Sequence, residues 1–312
     1  MLSVTNKKVF ILLGPTSSGK TSLALELCNK FGGEIISADS RQVIKYMDIG
    51  TGKTPVDSNL DILKGDGVWA VNGTNIWGYD LVKPDEFFSG YDFAKFSLLK
   101  VREMLDQRKN VFIVGGTGFY IDLFTGSVKP SNVKPDKELR KSLDKYSLEE
   151  IQKKLRELDE KVFEAIDKKN KIRMMRAIEK AISKDIKEDS LPYLEDIEFI
   201  YIGLTSSREL LYRRADDWVE KIWNNGLVDE VRNLIGMGYK NSEKMSGLVY
   251  KTVVAFIEGK VSEKDAIERI KFDIHAYIRR QQTWFGRNKE VTWVDVSQDG
   301  FREIIYNMIG GK

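Results

Sequence analysis

In the early part of the chain, apolar residues come in short unbroken runs closed by glycine, the pattern of strands buried on both faces. Residues 7–13 include Val9-Phe10-Ile11-Leu12-Leu13, too short for a buried helix and closed by Gly14-Pro15, and they predict a parallel strand. The period then changes. From Ser22 to Phe31, Leu23, Leu27 and Phe31 recur every four residues with Ala24 and Cys28 beside them, and Gly32-Gly33 stops the predicted helix. Glu34 to Ala38 predicts a short second strand with Asp39 at its carboxyl end, where open α/β sheets place their ligands. Between about 57 and 82 glycines and aromatics interleave (Gly65, Gly67, Trp69, Gly73, Trp77, Gly78, Tyr79), which predicts loop and hairpin. A helix over 92–108 leads to a buried strand, Val111 to Val114, which runs into Gly115-Gly116-Thr117-Gly118.

From about 128 the sequence turns charged and helical with no strand candidate. Glu198 to Leu204 returns to strand, and Ser207 to Ile235 and Glu263 to Phe285 are long helical stretches. The expected fold class is therefore α/β: a P-loop-type parallel sheet flanked by helices, with an inserted all-helical domain. Residues 1–127 and 196–312 would form the core and 128–195 the insertion, a division that also suits a chain of 312 residues.

Composition narrows the chemistry. With 42% hydrophobic and 31% charged residues the chain has the make-up of a soluble globular protein. No apolar run approaches the roughly 20 residues that span a bilayer, so no membrane partner is expected. Met1 to Lys8 pass straight into the first strand and leave no room for a signal peptide, which points to the cytoplasm. A single cysteine, Cys28, rules out an intramolecular disulfide, and a single histidine, His275, leaves too few soft ligands for zinc. Any metal should be hard and oxygen-bound, such as magnesium. A net charge of +3 is too small to imply nucleic acid unless the basic residues cluster.

The most specific local signal is Gly14-Pro15-Thr16-Ser17-Ser18-Gly19-Lys20-Thr21, which fits G-x-x-x-x-G-K-[ST] between a predicted strand and a predicted helix. Glycines let successive amides face phosphate oxygens, the helix N-terminus adds partial positive charge, Lys20 adds a cation, and Thr21 can hold magnesium. Such a loop binds a di- or triphosphate but does not name a reaction. The best buried strand ends in Gly-Gly-Thr, where a nucleotide hydrolase usually carries an acid. Asp39 instead closes the second strand, where it fits a general base on an acceptor beside the phosphates, a strand-end cap or an outer-shell magnesium ligand.

Asp39-Ser40-Arg41-Gln42 and Tyr46-Met47-Asp48-Ile49-Gly50-Thr51-Gly52-Lys53 resemble the tRNA dimethylallyltransferases, which prenylate an adenosine next to the anticodon. The P-loop, Gly115-Gly116-Thr117-Gly118-Phe119-Tyr120, Arg173 with Arg176-Ala177-Ile178-Glu179, and Arg280-Gln281-Gln282-Thr283-Trp284-Phe285 extend the resemblance over essentially the whole chain. The resemblance implies transfer from dimethylallyl diphosphate to N6 of adenosine 37 in the tRNA anticodon stem-loop, by a magnesium-assisted monomer. Gly14 to Thr21 and Arg214 would hold diphosphate, with Lys20 and Thr21 catalytic and Thr21 on the metal, and Asp39 would take the N6 proton. Asp39, Ser40, Arg41, Gln42, Thr117, Arg140, Ile172, Arg173, Met174, Met175, Arg176, Arg280 and Gln281 match positions that face tRNA. Arg280 and Gln281 also fit a place near the phosphates or in helix packing, and Trp284 and Phe285 fit the core.

The helical insertion adds an independent reading, because Arg173, Arg176, Lys180, Lys184 and Lys187 recur every three or four residues and line one side of a helix. A phosphate-contacting stripe and a plain solvated face both fit that spacing. Three departures stand against the resemblance. The family's second arginine on the helix after Ser207 is Trp218 here, so Arg213 or Arg214 would have to serve alone. Its glycine before Tyr250 is Val249, which implies a different local turn, and 61–79 does not match well. A small-molecule kinase or adenylate prenyltransferase, and an RNA-binding homologue without transfer chemistry, remain open from the residues alone.

Overall fold

The computed structural model describes residues 7–53, 60–129, 131, 133–183, 191–195 and 197–310. The chain begins with β1 (Lys7–Leu13), α1 (Lys20–Phe31) and β2 (Glu34–Ser37), then β3 (Ile62–Gly65), β4 (Val68–Val71) and β5 (Thr74–Trp77). α2 (Gly90–Asp106), β6 (Val111–Gly115) and α3 (Gly118–Phe124) follow. Next come α4 (Lys137–Leu143), α5 (Leu148–Leu158), α6 (Glu160–Ala165) and α7 (Lys171–Ile182), then β7 (Ile197–Thr205), α8 (Arg208–Ile222) and α9 (Val228–Gly236). α10 (Tyr250–Ile257), α11 (Glu263–Phe285), β8 (Thr292–Asp295) and α12 (Phe301–Gly310) complete it.

The described strands form one sheet in the order β3-β4-β5-β2-β6-β1-β7-β8. From β5 to β8 every pairing is parallel, whereas β3, β4 and β5 pair antiparallel. The interleaved glycines and aromatics thus build the expected hairpin, and β5 joins it to β2, so the sheet is mixed but mostly parallel. Trp69 and Tyr79 explain the aromatics there: both are buried, with rings meeting edge to face at 5.3 Å.

Register decides where chemistry can sit. Leu13 pairs with Gly115 and with Gly203, and Ser37 pairs with Val114, so β1, β2 and β6 end at one level while β7 runs on to Thr205. The loops carrying Gly14 to Thr21, Asp39 to Gln42 and Gly115 to Thr117 therefore leave the sheet side by side at its carboxyl edge. Beneath them Phe10 stacks on Phe112 at 5.4 Å, and Leu12, Leu23, Leu27, Ile35 and Val114 close the core.

Two expectations change. The stretch from Ser207 to Ile235 is not one helix: a π-turn at Trp223–Leu227 separates α8 from α9, and Gly226 there adopts a left-handed φ of 98° that a helix cannot continue through. β8 and α12 were not foreseen, because a four-residue strand with two exposed positions has no clear apolar pattern.

The chain divides into two compact units, Met1–Val128 with Pro192–Lys312 and Lys129–Leu191. The smaller contains α4 to α7 around Leu143, Ile151, Leu155, Phe163, Met174, Met175 and Ile178. Its helices start on side-chain caps from Asp136, Ser147, Asp159 and Asn170. No helix among the described residues is long and apolar enough to cross a membrane.

Phe112 lies fully buried on the central strand β6. Phe112→Ala is expected to cost about 3–5 kcal/mol of stability, seen as a lower denaturant midpoint in chemical unfolding.

Candidate active site

The P-loop is shaped by what it touches. A β-carbon on Gly14 would fall 2.3 Å from the Leu204 carbonyl oxygen of β7, so only glycine lets the two strand ends lie this close. Ser17 (φ 64°) and Gly19 (φ 85°) are left-handed, and alternation of left- and right-handed residues is the backbone pattern that turns consecutive amides toward an anion. The Lys20 ammonium folds back and donates to the Pro15 carbonyl at 2.7 Å. Ser18 Oγ is buried with no hydrogen-bond partner. A buried hydroxyl left unpaired costs free energy that an incoming phosphate oxygen would recover. Thr21 stands half-buried in the first turn of α1, its hydroxyl chemically suited to a hard cation.

Gln281 of α11 joins this loop to its neighbour. Its Oε1 accepts from the Thr16 amide at 2.8 Å, and its Nε2 donates to the Gly116 carbonyl at 2.9 Å. The side chain is 4% exposed and both its polar ends are used within the protein. Gln281 is thus a clamp on the phosphate loop. Trp284, one turn on, donates to Asp122 at 3.0 Å and packs on Gly118, and Phe285 is buried in the core.

Asp39, Ser40, Arg41 and Gln42 lie beside the P-loop. Asp39 Oδ1 accepts from the Arg41 amide at 2.8 Å, and the Ser40 amide donates to Thr117 Oγ1 at 3.0 Å. Arg41 donates to the Lys244 carbonyl at 2.6 Å. Gln42 is saturated: its Oε1 accepts from Ser37 Oγ at 2.7 Å and its Nε2 donates to the carbonyls of Thr51 and Gly52 at 3.2 and 3.4 Å. Asp39 and Lys20 act on each other. Burial raises the Asp39 carboxyl above its ordinary value, opposed by the Arg41 amide and the Lys20 charge. Burial lowers Lys20 to about 8, opposed by Asp39. A weakly hydrated ammonium and a carboxylate of raised basicity are therefore held together at the sheet edge.

The remaining expected residues divide. In the helical unit Met174 and Met175 are core side chains, 0% and 5% exposed, so the expected RNA contact through them is corrected. Arg140 reaches buried Glu179 through Nε at 2.6 Å and Nη2 at 2.8 Å, and Arg176 reaches the same carboxylate at 2.8 Å and the Val133 carbonyl. These two guanidiniums are tied into the unit's own structure. Of the basic stripe, Arg173 and Lys180 are exposed, as is Ile172, while Lys184 and Lys187 lie outside the described residues. Ile182, at the end of α7, is 56% exposed.

In the larger unit Arg280 is exposed on α11, its guanidinium 5.7 Å from the Tyr277 ring centre, and Arg213 and Arg214 are exposed on α8. Trp218 is half-buried, 3.7 Å from where a β-carbon on Gly52 would lie. Val249 is right-handed (φ −85°, ψ −51°), a conformation valine adopts freely.

Sequence reasoning missed three groups. Tyr277, one turn before Gln281, hydrogen-bonds Thr117, and burial and the Asp39 charge raise its hydroxyl. Its spacing of four from Gln281 on one helix was the available signal. Lys53 is fully buried, donating to Ile44 O at 2.5 Å, Asp48 at 3.0 Å and Asp80 at 2.5 Å. Glu230 of α9 accepts from backbone amides of the 48–50 segment. Lys53 closes the segment that carries the resemblance, but its burial is not marked there, and Glu230 has its partners 180 to 182 residues away, so nothing local marks it.

A phosphate loop closing the first strand of a mostly parallel sheet, faced by a carboxylate at the end of the second, defines a P-loop protein arranged for group transfer. The chain belongs to the IPP transferase family, whose model matches residues 42–289, and an isopentenyl transferase model matches residues 7–73. It is 38% identical to the tRNA dimethylallyltransferase of Acetivibrio thermocellus over 96% of each chain. With that of Clostridioides difficile the identity is 36%, over 93% of this chain and 92% of the relative. Among solved structures, the tRNA isopentenylpyrophosphate transferase of Bacillus halodurans is 30% identical, with a TM-score of 0.69 over 98% of this chain and 96% of that one. A eukaryotic dimethylallyltransferase acting on tRNA shares the fold at a TM-score of 0.75 and 21% identity, over 98% of this chain and 80% of that one.

Gln281→Ala removes both hydrogen bonds of the clamp and leaves the Gly116 carbonyl buried without its donor. Affinity for inorganic diphosphate, measured by calorimetry, is expected to fall by about 1–3 kcal/mol.

Proposed function

We propose that the chain transfers the dimethylallyl group of dimethylallyl diphosphate to N6 of the adenosine next to the anticodon, position 37 of tRNA, with release of diphosphate. The observation that carries this reading is the P-loop facing Asp39, with a buried Ser18 hydroxyl awaiting a partner and a desolvated Lys20 held near the carboxylate. Family membership supplies the acceptor class.

In the reaction the N6 lone pair forms a bond to C1 of the dimethylallyl group. The C1–O bond breaks, and diphosphate leaves with the bonding electrons. The N6 proton passes to Asp39, whose raised basicity suits it to accept. Charge growing on the departing oxygens meets the Lys20 ammonium, the Ser18 hydroxyl and the loop amides, groups fixed before the reaction begins. Magnesium would be held by the Thr21 hydroxyl together with oxygens of the diphosphate, and when bound it neutralises part of the leaving-group charge. Thr117, which meets both Ser40 and Tyr277, fixes the edge of the pocket beside Asp39. In the helical unit, exposed Arg173 and Lys180 are the residues of α7 suited to phosphate contacts, which position RNA without reading its sequence.

Incubation with labelled dimethylallyl diphosphate, magnesium and unmodified tRNA is expected to place label in tRNA and not in AMP. Asp39→Asn should lower transfer by about 10²–10⁴-fold while tRNA affinity stays within a few-fold. Full turnover in that variant would remove Asp39 as the base.

The shifted Lys20 also sets an alkaline limb of the pH profile. Lys20 of the free enzyme loses its proton near pH 8, so kcat/KM for the donor should fall above about pH 8. Bound diphosphate favours the charged ammonium, so the same limb in kcat should lie at higher pH. Stopped-flow or steady-state pH series read both limbs.

A further inference from the structure

The segment from Asp39 to Lys53 contains Asp39 to Gln42, yet it has no regular strand or helix. Its shape must come from elsewhere. Within the segment, Gln42 is tied to the carbonyls of Thr51 and Gly52, so the far end of the loop fixes the end nearest the reaction. The far end is in turn seated on α9. The Glu230 carboxylate takes three consecutive backbone amides, Asp48 and Ile49 on Oε2 at 2.8 and 2.7 Å and Gly50 on Oε1 at 3.1 Å. Tyr250 of α10 donates its hydroxyl to Oε1 at 2.7 Å, which fills the carboxylate's remaining site and holds it in place.

Three successive amides converging on one carboxylate form an anion-binding nest occupied by a side chain 180 to 182 residues away in sequence. Charge-assisted bonds of this kind are stronger than neutral ones. Glu230 is half-buried and borders an open cavity of about 300 Å³ lined also by Tyr46, Ile49 and Met237. Shortening the Glu230 side chain would therefore open this cavity toward the Ile49 amide.

We infer that Glu230 is a positioning residue for the acceptor base: by occupying the amides of Asp48, Ile49 and Gly50 it holds the Asp39–Lys53 loop in the shape that receives adenine. The inference rests on the prenyl-transfer reading. It assigns to α9 and α10 a part in acceptor recognition separate from the P-loop, which α11 clamps. Loss of the carboxylate should therefore affect the two substrates unequally.

The test is Glu230→Ala, compared with the native protein for both substrates and with formate added. The expected result is a tRNA KM raised at least tenfold with the donor KM within twofold, and partial recovery of the tRNA KM in formate but not in chloride of equal ionic strength. Hydrogen exchange of the unliganded protein should show the amides of residues 48–50 exchanging at least tenfold faster in the variant. Tyr250→Phe, which keeps the carboxylate on the amides, should change the tRNA KM by only a few-fold. A tRNA KM within twofold of native overturns the inference, and so does an equal rise in both KM values with no effect of formate. If the native protein transfers no prenyl group to tRNA, the proposed function fails by itself. Unchanged exchange at 48–50 then overturns the seating of the loop as well.

Discussion

The carboxamide of Gln281 is the contact on which the site's geometry depends. Three parallel strands end at one level, but a level edge only brings loops near one another. One buried side chain, accepting from the P-loop and donating to the loop after β6, makes them a single rigid rim. A carboxamide suits this place because it offers one acceptor and one donor in fixed relation and carries no charge to desolvate. The close packing around it follows: a β-carbon on Gly116 would fall 2.2 Å from the Gln281 amide nitrogen, so the glycine there makes room for the clamp.

Within that rim the chemistry comes from desolvation. Lys20 and Asp39 are partly buried, which makes the ammonium more acidic and the carboxyl more basic than in solution. A diphosphate at Lys20 and Ser18 would supply charge and hydrogen-bond acceptors that suit these two groups. The same electrostatic setting would favour phosphoryl transfer in a kinase. The carboxylate at the end of the second strand and the family to which the chain belongs direct it toward alkyl transfer from a diphosphate.

The segment between Asp39 and Lys53 shows how an irregular loop is made rigid. Lys53 is buried among Ile44 O, Asp48 and Asp80, and Trp69 donates to the second oxygen of Asp80 at 2.6 Å. A buried ammonium is costly unless fully paired, and here each partner is supplied by the loop or by the β3 to β5 extension. The glycine- and tryptophan-rich stretch that did not match the family pattern therefore has a structural use: through Trp69 and Asp80 it helps hold Lys53 of the loop, as Glu230 holds residues 48–50.

The sequence by itself determined the P-loop, the βαβ rhythm, the helical insertion and the place of Asp39 at a strand end, because each depends on neighbours within a few residues and on periodicity. It misled where an i, i+4 pattern was read as an exposed stripe, since Arg176 turns inward to Glu179, and where motif membership was read as RNA contact for the core side chains Met174 and Met175. Only the tertiary structure decided those roles, together with the sheet register, the Gln281 clamp and the seating of the 39–53 loop on Glu230. The physical reason is distance along the chain. Thr16 and Gln281 are 265 residues apart and Asp48 and Glu230 are 182 apart, and no local propensity encodes which buried donor will meet which acceptor. Packing of the whole unit brings those partners together.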